Sequence, residues 1–179
     1  MSEETLRSKR VFSGRLLKVE VAKVALDGGR HARREIVRHP GAVAVLAREP
    51  RGRFIFVRQF RKAVETDLLE VVAGTRAARE TPGKCAAREL QEETGYAVKK
   101  LTHLGYIYTA PGFCNERIDL FLAEVKAKRG RQMTEDDEKI TVVLLSPREV
   151  KAMIERQRIH DAKTLVLWLL AQRRLKLRH

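Results

Sequence analysis

Apolar residues in this chain first alternate and later bunch together. Residues 15–26, RLLKVEVAKVAL, place Leu17, Val19 and Val21 two apart, the period of a half-buried strand. Asp27-Gly28-Gly29 signals a turn, and HARREIVRH returns as the second strand of a hairpin. Pro40-Gly41 interrupts the pattern. AVAVLA, residues 42–47, is apolar throughout and predicts a short strand buried on both faces. EPRGR makes another turn, FIFVRQF another strand, and LLEVVAG a strand ending at Gly74.

The period then lengthens. After Pro82-Gly83, residues Lys84 to Thr94 predict a short helix, with Ala87, Leu90 and the aliphatic part of Thr94 on one side and Gly95 as its C-terminal cap. Strands follow at roughly 98–109 and 117–126, then the polar loop KRGRQMTEDDEK and the strand ITVVLL. Ser146-Pro147-Arg148-Glu149 is a capping box with proline at the first helical position, opening a helix of about 11 residues. Asp161 caps a last helix, 162–176. This order predicts an α/β chain with a mixed sheet covered by helices. No repeat, low-complexity tract or linker divides it, so a single domain over 1–179 is expected.

Composition narrows the class. The chain carries 37 Lys+Arg against 23 Asp+Glu, a net charge of +14, which suits polyanionic partners from nucleotides to RNA. No apolar run reaches the length of a membrane span, and the charged N-terminus is unlike a secretory signal. Two cysteines, Cys85 and Cys114, are too few for a disulfide framework. A reduced, cytoplasmic protein is expected.

Against that basic background, Glu89, Glu92 and Glu93 crowd near the end of the helix before Gly95. Residues three and four apart share a helix face, so Glu89 faces both others, and like charges there repel. Carboxylates at a helix C-terminus also oppose its dipole. A divalent cation relieves both penalties, and hard oxygen ligands suit Mg²⁺ or Mn²⁺.

The wider spacing is more specific. From Gly74, five residues lead to Glu80 and seven more to Arg88-Glu89, followed by Leu90, Glu92-Glu93, Gly95 and Tyr96. This resembles the Nudix box, G-x5-E-x7-R-E-U-x-E-E-x-G-U, at all seven fixed positions. At about one chance in ten per position, such a match arises on the order of 10⁻⁷ per starting position. The resemblance implies a Nudix-type α/β/α sandwich with a mixed sheet, an N-terminal β-hairpin region and C-terminal helices. It implies metal-dependent hydrolysis of a nucleoside diphosphate linked to another group. By position, Glu89, Glu92 and Glu93 become metal ligands, joined by the Ala73 carbonyl. Glu80 and Arg88 pair to hold the loop on the helix, and Gly74 and Gly95 permit tight backbone at either end.

Beyond the box, REIVRHPGAVAVLA, FVRQFR, LEVVAG, APGFCNERIDLFLAE and HDAKT resemble the ADP-ribose pyrophosphatase branch of Nudix hydrolases. Pro111 lies 16 residues past Gly95, as in that branch, with Gly112 and Glu116 close behind. The branch implies ADP-ribose as substrate, giving AMP and ribose 5-phosphate, with GDP-mannose or another nucleotide sugar as the alternative. It implies an acidic loop that orients water, with Glu138 the first candidate and Asp136 the second. Arg61 and Arg33 or Arg34 are candidates for phosphate or the terminal ribose, since arginine suits bidentate phosphate recognition. A homodimer is also implied, in which residues 1–39 reach the partner's site and 40–179 form the catalytic core. Val72 stands where the branch often has proline, and the spacer TRAAR is basic where relatives are often acidic. An RNA-directed protein using the basic surface is the alternative of another class. It is disfavoured because aromatics make up only 6% and form no stacking platform.

Overall fold

A computed structural model of the chain describes residues 3–134 and 139–176. Its contacts group into two compact units, Met1–Gly41 with Ile107–Ile118, and Ala42–Tyr106 with Asp119–His179.

The first unit carries a three-stranded antiparallel sheet in the order β1 (Glu4–Ser13), β2 (Lys18–Ala25), β3 (His31–Arg38). The β2–β3 hairpin matches the sequence pattern; β1 does not, because every residue of β1 is exposed. Its only strand signal is backbone pairing to β2, from Glu4↔Ala25 to Ser13↔Lys18, with two bulges. The segment 107–118 joins β3 through Val37 N–H to the Phe113 carbonyl at 2.7 Å and Asn115 N–H to the Val37 carbonyl at 3.1 Å.

The second unit is built on a mixed sheet in the order β10-β5-β4-β9-β8, with β6 added to β5 and β7 to β4. These strands are β4 (Ala42–Arg48), β5 (Phe54–Arg61), β6 (Thr66–Glu70), β7 (Val72–Thr75), β8 (Tyr96–Tyr108), β9 (Arg117–Arg129) and β10 (Ile140–Leu145). Residues 42–47 are buried without exception, as an uninterrupted apolar run requires. LLEVVAG forms two strands instead of one. The break falls at Val71, whose N–H donates to Thr164 Oγ1 at 2.9 Å and so leaves the strand ladder.

Helix α1 (Pro82–Thr94) covers one sheet face, where Cys85, Ala86 and Leu90 pack with Val43, Val45, Ile55 and Val72. The buried side therefore runs through Cys85 and Ala86, and Ala87 is only half-buried. On the other face α3 (Ala162–Leu175) buries Leu167, Trp168 and Ala171, with Trp168 edge-on to Phe54 at 5.2 Å. Between them α2 (Pro147–Glu155) is shorter than expected and opens on the full capping box: Ser146 Oγ accepts from Glu149 N–H, and Glu149 Oε2 from Ser146 N–H.

Candidate active site

The box begins where β7 delivers Gly74 to the sheet opposite Val43. Gly74 has ordinary backbone angles, but no side chain fits there: a Cβ would fall 1.9 Å from Glu89 Cδ and within 2.4 Å of both its oxygens. The Glu89 carboxylate thus lies in the space that the missing side chain leaves. Ala73, beside it on β7, pairs with Ala44.

Thr81 caps α1, accepting from Lys84 N–H, and Pro82 occupies its first turn. At the other end Gly95 takes the left-handed conformation, φ 74°, and its N–H closes on the Gln91 carbonyl. The last carbonyls of the helix are satisfied from the end of β9 and the segment after it. Arg129 Nε donates to the Thr94 carbonyl, Gln132 Nε2 to that of Glu93, and Met133 N–H to that of Glu92. Arg129 so offsets part of the dipole that the glutamates oppose.

Arg88 organises the acidic groups. Its Nε and Nη2 form a fork on Glu80, each at 2.9 Å. Its Nη1 donates to Glu89 Oε1 at 2.8 Å and to Glu92 Oε2 at 2.9 Å. Glu80 also accepts from Ala77 N–H. The Arg88 hydrogen bonds, foremost, hold the Glu80 carboxyl down at about 2, and the same pairing raises Arg88. Burial, with Glu80 and Glu89 nearby, pushes the Cys85 thiol up to about 12, so it remains an uncharged core residue.

The donor set fits a small divalent cation. Glu89 and Glu92 present oxygens to one and the same nitrogen, and Glu93 follows on the buried side of the helix at 8% exposure. Among the described residues no three His, Cys, Asp or Glu side chains stand close enough to hold a metal as placed. The Arg88 guanidinium lies between Glu89 and Glu92 and compensates only part of their charge, since it also pairs with Glu80.

A second buried network adjoins the start of the box. Arg61 forks onto Glu70, Nε to Oε1 and Nη2 to Oε2, both 2.8 Å. Glu70 is 1% exposed and also accepts from Lys163 Nζ at 2.5 Å, which in turn reaches Asp161 at 2.8 Å. Asp161 caps α3 by accepting from Thr164 N–H. Arg61 is raised by its hydrogen bond to Glu70 first, with Glu93 and Asp161 adding to it. Glu70, Lys163 and Thr164 were not among the residues singled out from sequence, and Asp161 was expected there only as a helix cap. The only hint was the tetrapeptide DAKT, 93 residues beyond its partners Glu70 and Val71.

In the first unit, Arg34, Pro111 and Gly112 line one depression of about 450 Å³, together with Arg38, Tyr108 and Phe113. Arg34 is held by Glu3 at 2.5 and 3.0 Å. Glu116 accepts from Thr109 Oγ1 at 2.8 Å. Tyr108 and Phe113 are both more than half exposed; Phe113 belongs to the Pro111-Gly112-Phe113 turn that the sequence already marks, whereas Tyr108, a lone aromatic, carries no periodic signal. Arg33 does not join Arg34: adjacent strand residues point to opposite faces, and Arg33 lines a different depression, 3.5 Å from Glu35. Glu138 and Asp136 lie outside the described residues.

The family model described as the NUDIX domain matches residues 37–168. An ADP-ribose pyrophosphatase from Bacillus subtilis (strain 168) is 40% identical over 92% of this chain and 89% of its own length. A methanol dehydrogenase activator from Bacillus methanolicus is 37% identical over 99% of this chain and 96% of its own. Among solved structures, one titled as an ADP compounds hydrolase superposes with a TM-score of 0.86 at 21% identity, covering 98% of this chain and 95% of its own, which shows the shared fold.

Proposed function

Because this chain belongs to the NUDIX domain family, we propose that it hydrolyses the pyrophosphate bond of a nucleoside diphosphate sugar, ADP-ribose, to AMP and ribose 5-phosphate. The observation that carries the reading is the convergence on Arg88 of Glu80, Glu89 and Glu92, with Glu89 seated in the space at Gly74. The pyrophosphatase relative, aligned over most of both chains, supports the choice of ADP-ribose.

Glu89, Glu92, Glu93 and the Ala73 carbonyl would hold the divalent cation, Mg²⁺. When bound, such an ion polarises a phosphoryl oxygen and lowers the pKa of a coordinated water. Arg61, with Nε and Nη2 fixed by Glu70, keeps Nη1 for a phosphate oxygen. Arg34, Pro111, Gly112 and Glu116 take the nucleoside end, with Tyr108 and Phe113 offering aromatic faces to the base. Glu138, or failing it Asp136, orients the attacking water.

The protein acts as a homodimer. On and beside the N-terminal strands Leu6, Phe12 and Leu16 are each about half exposed, and a two-fold interface would cover such residues in both copies at once. Cys85 and Cys114 are unpaired thiols, in keeping with a reducing cytoplasm.

A panel of ADP-ribose, GDP-mannose and other nucleotide sugars, with products identified with and without Mg²⁺, tests the reading. AMP and ribose 5-phosphate from ADP-ribose, only with the ion, is expected. Turnover of none of the panel would reject it, and a preference for GDP-mannose would move the substrate. A second reading, activation of a methanol dehydrogenase, rests on the relative that aligns over 99% of this chain. Methanol oxidation by such an enzyme, unaffected by added chain, would dismiss it.

A further inference from the structure

We propose that one face of the N-terminal sheet binds the phosphate backbone of a nucleic acid without regard to sequence. The register places Arg7 opposite Lys23 and Lys23 opposite Arg33, so three cations stand in one row across three strands. Directly paired residues share a face, and like charges so paired disfavour the sheet. Nothing in the fold asks for them, since β1 buries no side chain and any polar residue would serve at position 7. Lys9 and His31, two residues along from Arg7 and Arg33, extend the patch, each in a row that ends in a carboxylate, Glu35 beyond Val21 and Glu4 beyond Ala25.

These five side chains, with Val11, Val21, Ala22 and Ala32, line an open depression of about 590 Å³ that no carboxylate lines. Among the described residues Arg7, Lys9 and Lys23 have no ion pair, and Arg33 only an exposed one, 3.5 Å from Glu35. Across residues 1–41, ten Lys and Arg stand against five Asp and Glu.

The shape selects the ligand. Strands about 4.8 Å apart give a row about 10 Å long, enough for two successive phosphates of an extended chain, with Lys9 beside it for a third. No Phe, Tyr or Trp lines the depression and His31 is its one aromatic ring, so successive bases have no stacking platform and their identity is not read. A compact mononucleotide would leave part of the row unused; a phosphodiester backbone uses all of it.

The test is anisotropy of labelled 20-nucleotide RNA and DNA strands, of uridine- or thymidine-rich and mixed sequence, titrated with the whole protein at several salt concentrations. Three phosphate contacts predict a slope of log affinity on log salt of about −2, alike for all strands. Arg7→Gln/Lys23→Gln, which leaves Arg33 and Lys9, should weaken binding at least ~10-fold at low salt and bring the slope to about −1.4. Its ADP-ribose hydrolysis and its mass by light scattering should match the parent. Absence of binding, a variant that binds with unchanged affinity and slope, or more than tenfold preference for one sequence would each overturn the proposal. So would competition by ADP-ribose, which would put the strand in the substrate site, or a changed mass, which would give the face to a second copy.

Discussion

Replacing Gly74 by alanine should remove catalysis while leaving the fold standing. The backbone there is not left-handed, so alanine costs no strain of its own and shortens the list of unfolded conformations, worth about 0.4–1 kcal/mol in favour of folding. The three atoms nearest the new Cβ all belong to the Glu89 carboxylate, with its carbon at 1.9 Å. To reach ordinary contact near 3.4 Å the carboxylate must withdraw by about 1.5 Å. Glu89 then gives up its 2.8 Å bond from Arg88, a loss of about 1–2 kcal/mol, so net stability falls by only about 1 kcal/mol. Catalysis is far less tolerant, because a misplacement of about 1 Å costs about 100-fold, or about 2.7 kcal/mol of barrier. The assay is AMP release from ADP-ribose at saturating Mg²⁺, beside a urea melt. Since the alanine acts only through Glu89, it should add nothing in a Glu89→Ala background, where the two losses are non-additive. Hydrolysis by Gly74→Ala within threefold of the parent would refute this reasoning. A further large loss on top of Glu89→Ala would do the same.

Glu92→Gln and Glu93→Gln should each abolish most metal-dependent turnover with circular dichroism unchanged, since each removes a like charge from one helix end; activity within threefold of wild type would end their assignment as ligands. Glu80 is depressed to about 2 in the folded chain, so its stabilising contribution is complete above about pH 4.5 and fades as pH falls toward 2. Urea midpoints of wild type and Glu80→Gln should therefore converge between pH 5 and pH 2.5, and a gap that stays constant contradicts the pairing. If the N-terminal segment serves the partner's site, mixing Glu93→Gln chains with Arg34→Ala chains should restore activity that neither parent has. Proven exchange without recovery would assign each site to one chain.

What the sequence disclosed depended on how local its cause was. The box residues stand at fixed spacing on one loop and one helix, so Glu80, Arg88, Glu89 and Glu92 could be named before their fork of hydrogen bonds was seen. Caps are equally local, and Ser146 and Asp161 do what their positions imply. Strand β1 escaped because it buries nothing and so carries no apolar period. The split of LLEVVAG escaped because its cause, the Thr164 hydroxyl, comes from the far end of the chain. The inner side of α1 was misjudged by one position: a helix so short leaves the choice between Ala86 and Ala87 to the sheet beneath.

The acidic cluster in a chain of charge +14 follows from the balance around Arg88. Glu70 brings no net charge, because Arg61 and Lys163 compensate it and Asp161 together. Around Arg88 three carboxylates share one guanidinium, and Glu93 lies buried one residue beyond Glu92. The site therefore carries an excess of negative charge that a divalent cation can neutralise, while the surface as a whole remains positive. A pyrophosphate-bearing substrate is drawn in by that field and repelled only at the carboxylates themselves. Raising ionic strength should then slow capture of substrate, raising KM more than it lowers kcat, and a kcat that falls in step with kcat/KM would mean that the surface charge serves something other than substrate.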